Sequence, residues 1–245
     1  MRPRLLLPAA ALLVLAVTGC TADDSASGNS GAPGGARGPG PANGANALGA
    51  VDGLTVKGRA PKTGYEREQF GAAWLDTDSN GCGTRDDILN RDLAGAAFKD
   101  GACKVASGVL EKDPYTGGRI EYERGKPGGG VDIDHVVALS DAWQKGAGSW
   151  DKGKRIAFAN DPLNLLAVEA AANRKKGDGD AATWLPPDRS YRCTYVAAQV
   201  AVKQKYRLWV TAGERDAMKR VLSDCPEQRL PTGGNPTAPP ARLVR

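Results

Sequence analysis

The sequence predicts an α+β domain, mostly helical with short strands, and three observations carry the prediction. About 175 residues lie between two compositionally biased ends, enough for one domain with its own core. Short runs that read as strands, set off by Gly, Pro and Asp turns, fill the first half of that span. The last third carries two longer helical patterns. Taken in order, residues 65–75, with Tyr65, Phe70 and Trp74, read as a helix. Thr84 opens "TRDDILNRDL", a capped helix with acids in its first turn, where the helix dipole favours them. Strands are expected at 103–109 and at 119–122, the second after the turn "DPYTGG". Residues 131–134 read as the next strand. Helices at 139–144 and 152–159, a strand at 163–167 and a helix at 169–175 follow. Residues 191–210 and 214–222 close the domain as two helices. No internal repeat is visible.

The ends set the compartment. "MRPRLLLPAAALLVLAVTGC" has two early arginines, an apolar run over residues 5–17 and then small residues before Cys20. It reads as an export signal, because a membrane-spanning helix needs roughly twenty apolar residues. With cysteine falling where cleavage should occur, the segment resembles a bacterial lipoprotein signal over residues 1–19, with Cys20 as the lipidated mature N-terminus. An ordinary secretory signal is the alternative. Residues 20–50 are rich in Gly, Ala, Pro and Ser, cannot bury a core and read as a disordered tether. The tail at 226–245, with five prolines, reads the same way. The domain is thus expected at 51–225. Loss of Arg2 and Arg4 with the signal lowers the formal charge from +5 to +3, which is only mildly basic.

Lipidation of Cys20 leaves Cys82, Cys103, Cys193 and Cys225, which should pair outside the cytoplasm. Four cysteines allow three connectivities. Proximity in sequence favours Cys82 with Cys103 and Cys193 with Cys225. Structural zinc is set aside, since the chain has no C-x-x-C pair and a single histidine.

That histidine, His135, ends the run Asp132-Ile133-Asp134-His135. In a regular strand Asp132 and Asp134 share one face and His135 points to the other, so Asp134 and His135 meet at one site only if the strand ends or bends there. Downstream, "FANDPLNLLAVEAAANRKKGD" supplies a second cluster of oxygens and charges: Asn164 at the start of a short strand, Asn173 on the next helix, then Arg174, Lys175 and Lys176. Asn173 is a poor helix former in mid-helix, which calls for a non-structural reason. Arg155, Lys203, Lys205 and Arg207 are further basic residues, of the kind that usually form a wet face. Trp143, Trp150, Trp184 and Trp209 read as core or rim packing.

With D-I-D-H at 132–135, F-A-N-D-P-L-N-L at 158–165 and N-R-K-K-G-D at 173–178, the chain resembles the HNH nucleases, in particular the secreted actinobacterial type. The resemblance extends more weakly over residues 60–225, including "CGTRDDILNRD", "DPYTGG" and "WLPP". It departs at Ala138, where a proline is expected, and it carries Asn173 where the family uses histidine or asparagine. The resemblance implies a ββα-metal centre, a two-stranded hairpin packed on a helix around one metal ion. It makes His135 the general base, Asn164 the residue that orients the histidine-bearing loop, and Asp134 and Asn173 the metal ligands, with Asp132 in a supporting place beside them. Arg174, Lys175 and Lys176 become candidate phosphate contacts, since neutralised backbone charge supplies most non-specific affinity.

The chemistry is compatible with these roles. Magnesium takes one or two protein oxygens and keeps several waters, and manganese should substitute. Neutral imidazole near pH 7 can take a proton from an attacking water. The expectation is an exported endonuclease, tethered by lipid to the outer face of the membrane or secreted. It would cut DNA, with RNA as an alternative substrate the sequence leaves open, at low sequence specificity, since there is no zinc finger, basic zipper or aromatic RNA-binding signature. Nothing in the sequence calls for an obligate protein partner. A surface lipoprotein that keeps the fold but binds nucleic acid or protein without cutting is the competing reading.

Overall fold

The computed structural model describes residues 40, 43–126 and 130–244. The export signal, Cys20 and most of the expected tether lie outside the described residues. Mixed helix and short strand make the fold α+β. At its centre is a hairpin: β4 (Val131–His135) pairs antiparallel with β5 (Leu165–Glu169), from Val131 opposite Glu169 to His135 opposite Leu165. Helix α5 (Ala170–Lys176) follows β5 without a loop, its first turn capped by Glu169, whose carboxylate accepts from the Ala172 amide at 2.5 Å. Residues 136–164 form the crossing between the two strands and carry α3 (Leu139–Trp143) and α4 (Lys152–Ala159).

The hairpin lies between two cores, and its alternation decides what each face touches. Val131 and Ile133, with Leu165 and Ala167, pack with Ile88 and Leu89 of α2 (Thr84–Asp92) and with Val105, Leu110 and Tyr122. These last three belong to a sheet of β1 (Ala94–Phe98), β2 (Val105–Leu110) and β3 (Ile120–Glu123), ordered β1-β2-β3 and antiparallel throughout. Leu166 and Val168 face the larger core, filled by Tyr115, Tyr195, Val196, Val200 and Tyr206. About a third of that core comes from α6 (Arg192–Tyr206) and α7 (Ala212–Ser223). α6 stops where Arg207 turns left-handed, at φ 56°. α7 starts on a capping box of Thr211 and Glu214. Cys82–Cys103 joins the approach to α2 to the β1–β2 turn, and Cys193–Cys225 joins the start of α6 to the end of α7.

Several details differ from the sequence reading. Residues 65–75 hold only a 3-10 turn, Arg67–Phe70, because Gly71 takes φ 83° and a Cβ there would lie 2.6 Å from Ile156. α2 begins at Thr84 as expected, but its N-cap, Gly83, supplies no side-chain cap, and the Thr84 hydroxyl donates back to the Leu75 carbonyl at 2.5 Å. β1 was hidden by its sequence, AGAAF, whose small residues carry little strand preference and whose order comes from pairing with β2.

Both ends assigned by composition to tether and tail reach the body. Helix α1 (Ala47–Val51) is capped by Asn46 and buries Ala47 and Val51. Leu230 is buried too, and its amide donates to the Ala45 carbonyl at 2.9 Å. The backbone amide of Asn235 donates to Asp161 at 3.1 Å. A few apolar side chains and paired backbone groups order segments that composition alone marks as polar.

Lys203 is no part of a wet face. With Lys145 it is buried against Asp141, Asp180 and Glu214, and Arg59 reaches Asp141 and Asp180 from the surface. Lys145 Nζ lies 2.6, 2.8 and 2.6 Å from Asp141, Asp180 and Glu214, and Lys203 Nζ lies 2.9 Å from Glu214. Two buried lysines and the partly exposed Arg59 balance the three carboxylates, the condition under which such groups are tolerated. Lys205 pairs with Asp161 at 2.6 Å, and Arg155 lies over Trp143 while donating to the Gln69 carbonyl. Trp143, Trp150 and Trp184 pack against the main core, and Trp209 donates its indole N–H to the Gly58 carbonyl at 2.9 Å.

Candidate active site at the histidine-bearing strand end

β4 ends at His135, and the histidine turns away from Asp134 as strand alternation requires. Its Nε2 lies 2.8 Å from the carbonyl oxygen of Ala159, at the end of α4. A carbonyl only accepts, so Nε2 carries the proton and Nδ1 holds the free lone pair. The ring is 7% exposed and opens on a pocket of about 180 Å³ walled by Phe70, Trp74, Leu139 and Asn160, with Arg67 and Glu68 also lining it. Burial of the imidazole pushes its pKa down to about 3, the Ala159 hydrogen bond opposing and the charges of Arg67 and Lys176 adding to the fall. His135 is therefore neutral at pH 7.

Trp74 stands parallel to the imidazole, with 6.3 Å between ring centroids and 13° between planes, and the Arg85 guanidinium lies over its indole. Its backbone is left-handed, at φ 61°, a strained state for a bulky residue. Two ties hold it there: the next amide, of Leu75, donates to Asn160 Oδ1 at 3.0 Å, and the Leu75 carbonyl accepts from Thr84.

Asn164 is fully buried beneath the chain that follows His135. Its Oδ1 accepts the Val137 amide at 2.8 Å, its Nδ2 donates to the Val137 carbonyl at 3.3 Å, and its own carbonyl accepts the Val136 amide at 2.8 Å. The Val136 carbonyl accepts from Gln199 at 3.2 Å. Every backbone group of this stretch is thereby fixed.

The acids of β4 face α5 on the opposite side. Asp134 is 7% exposed and spends both oxygens within the protein: Tyr115 donates its hydroxyl to Oδ2 at 2.5 Å, and Lys176 Nζ lies 3.1 Å from Oδ1 and 3.0 Å from Oδ2. Tyr115 is driven well above its ordinary pKa by burial first and by the Asp134 charge next, so it remains a donor. Lys176, expected at a phosphate, instead has its side chain buried among these groups, while Arg174 and Lys175 stay exposed on the last turn of α5. Asn173 Nδ2 donates to Asp132 Oδ2 at 3.2 Å, both residues being partly exposed.

Of the two expected metal ligands, Asp134 is engaged by Tyr115 and Lys176, and Asn173 lies on Asp132. The carboxylate that meets Asn173 is that of Asp132. A carboxylate and an amide oxygen at the surface suit magnesium, which keeps most of its waters. Among the described residues no three His, Cys, Asp or Glu side chains converge on a closed metal site.

Sequence reasoning missed Trp74, Arg67, Tyr115 and the burial of Lys176. Only Tyr115 carried a signal, since it lies inside the quoted turn "DPYTGG"; the others depend on contacts between segments distant in sequence.

Residues 83–221, more than half of the chain, match the family described as "GmrSD restriction endonucleases, C-terminal domain". The chain is also similar to a protein of Arthroderma benhamiae described as an uncharacterized secreted protein, with 40% identity over 183 residues that cover 74% of this chain and 85% of that one. No solved structure matches. No helix among the described residues is long and apolar enough to cross a membrane.

Proposed function

The chain belongs to the GmrSD restriction endonuclease C-terminal domain family, and from that premise we propose that it is an exported HNH-type endonuclease with His135 as general base. The observation that carries the reading is the imidazole itself: Nε2 anchored on the Ala159 carbonyl, Nδ1 free, in a walled pocket. A water at Nδ1 gives up its proton there as its oxygen bonds to phosphorus; the bond from phosphorus to the leaving ester oxygen breaks, and that oxygen takes a proton from solvent. A base at about 3 is weak by itself. The negative charge of a bound phosphodiester stabilises the imidazolium and raises it. The ties made by Asn164 and the parallel indole of Trp74 hold the ring in place.

Asp132 and Asn173, rather than Asp134, would hold a magnesium ion, with manganese as its substitute. When bound, the ion supplies Lewis-acid stabilisation of charge on the phosphoryl oxygens. Arg174 and Lys175 are the phosphate contacts of this reading. DNA is the preferred substrate, cut with low sequence specificity. Support for export comes from the signal-like N-terminus, the two disulfides and the secreted relative. Lipidation at Cys20 would keep the enzyme on the outer face of the membrane.

The test incubates the folded chain with supercoiled plasmid in magnesium, in manganese and in chelator. Nicking that requires the ion supports the reading. Binding without cleavage under either ion overturns it in favour of a binding lipoprotein.

A further inference from the structure

We propose that Lys176 is a positioning residue for His135. The inference rests on the reading of His135 as the base. Two pairs cross between β4 and α5: Asn173 meets Asp132, and three residues on, Lys176 meets Asp134. Residues three apart on a helix lie on one face, so α5 reads the two carboxylates of β4 in order. The second pair reaches further than the first, because Lys176 Nζ also donates to the His135 carbonyl at 2.9 Å. An ammonium has three donors and no acceptor. Here Asp134 Oδ1, Asp134 Oδ2 and His135 O lie 3.1, 3.0 and 2.9 Å away, and the side chain has no exposure to replace any of them with water.

His135 is consequently held at both ends. The Ala159 carbonyl takes its ring N–H, and Lys176 takes its backbone carbonyl. The next amide, of Val136, is tied to the Asn164 carbonyl. The direction of Nδ1 is set by these ties together, and among them Lys176 is the one charged group that links the strand end to α5. An ion pair needed only for cohesion would be complete with Asp134 alone. The added bond to the histidine's own carbonyl makes the lysine part of how the base is aimed. Gly177, left-handed at φ 52°, ends α5 directly after the lysine and returns its amide to the Asn173 carbonyl, so the helix stops where the ammonium is delivered.

The chain's single histidine supplies the readout, since imidazole ring correlations in an NMR spectrum arise from His135 alone. The full chain with both disulfides formed is compared with Lys176→Met, Lys176→Arg and the double variant Asp134→Asn/Lys176→Met, which leaves no unpaired charge in the interior and covers the case in which the single Met variant fails to fold. The expected result is a displaced ring signal in Lys176→Met and in the double variant. In Lys176→Met, kcat on duplex DNA should fall about tenfold or more with KM nearly unchanged, as misplacement of a reacting group does. Lys176→Arg should recover part of both. Ring signals that superimpose on the wild type, or a kcat that survives in Lys176→Met, overturn the proposal. If the wild type cuts no DNA, the endonuclease reading fails by itself, and the ring signal still decides whether Lys176 positions the histidine.

Discussion

Acidification should destabilise the protein through His135, and a His135→Gln variant isolates the effect. The folded imidazole sits at about 3 because it is buried, against an ordinary value of 6.5. As pH falls, the unfolded chain takes the proton first, so the stability tied to the neutral ring is complete above about 6.5 and is lost progressively between 6.5 and 3. Within that window the slope is about 1.4 kcal/mol per pH unit. From pH 7 to pH 5 the wild type should lose about 2 kcal/mol from this one group, with a ceiling of about 5 kcal/mol at lower pH. The glutamine variant has no proton to gain there, and its amide can still donate toward the Ala159 carbonyl. Urea unfolding of both proteins at pH 7 and pH 5 measures the difference, since carboxylate titrations are common to both and cancel. Equal losses in the two proteins would show that the folded imidazole takes its proton as readily as the unfolded one, refuting the effect of burial.

Replacing Cys193 and Cys225 by serine opens a sequence separation of 32 and should cost about 3.7 kcal/mol, and the Cys82–Cys103 pair, at 21, about 3.3 kcal/mol, read from denaturant midpoints. Asn164→Ala strands the amide and carbonyl of Val137 in the interior. It should cost about 3 kcal/mol of stability and lower kcat more than it changes KM. Arg174→Ala with Lys175→Ala should flatten the dependence of log affinity for duplex DNA on log salt by about 1.8 if both touch phosphate. An unchanged slope would remove them from the interface.

What was legible in the sequence followed from local signals. The strand of Val131–His135, the two final helices and the disulfide pairs all announced themselves through patterning or proximity. The opposition of Asp134 and His135 across the strand was readable from the two-residue period. What that period could not show was which neighbour each side chain would meet. The resemblance made Asp134 a metal ligand, and it could not show that Tyr115 and Lys176 reach the carboxylate from segments 19 and 42 residues away. Lys176 looked like one more charge at a helix end, where the dipole favours cations; its burial depends on α5 packing against β4. Trp74 is beside the histidine only because Gly71 breaks the expected helix and the Leu75 ties fix a left-handed turn. The ordered ends were missed because composition averages over the few residues, Ala47, Val51 and Leu230, that do the packing.

The most direct test of the central claim is the single-turnover rate of duplex DNA cleavage at pH 7 in magnesium for the wild type and for His135→Ala, each shown to be folded with both disulfides intact. If His135 activates the attacking water, the variant should be slower by roughly a hundredfold to ten-thousandfold while still binding DNA. A variant that cuts at the wild-type rate would contradict the account, and the single histidine would then be a buried packing residue.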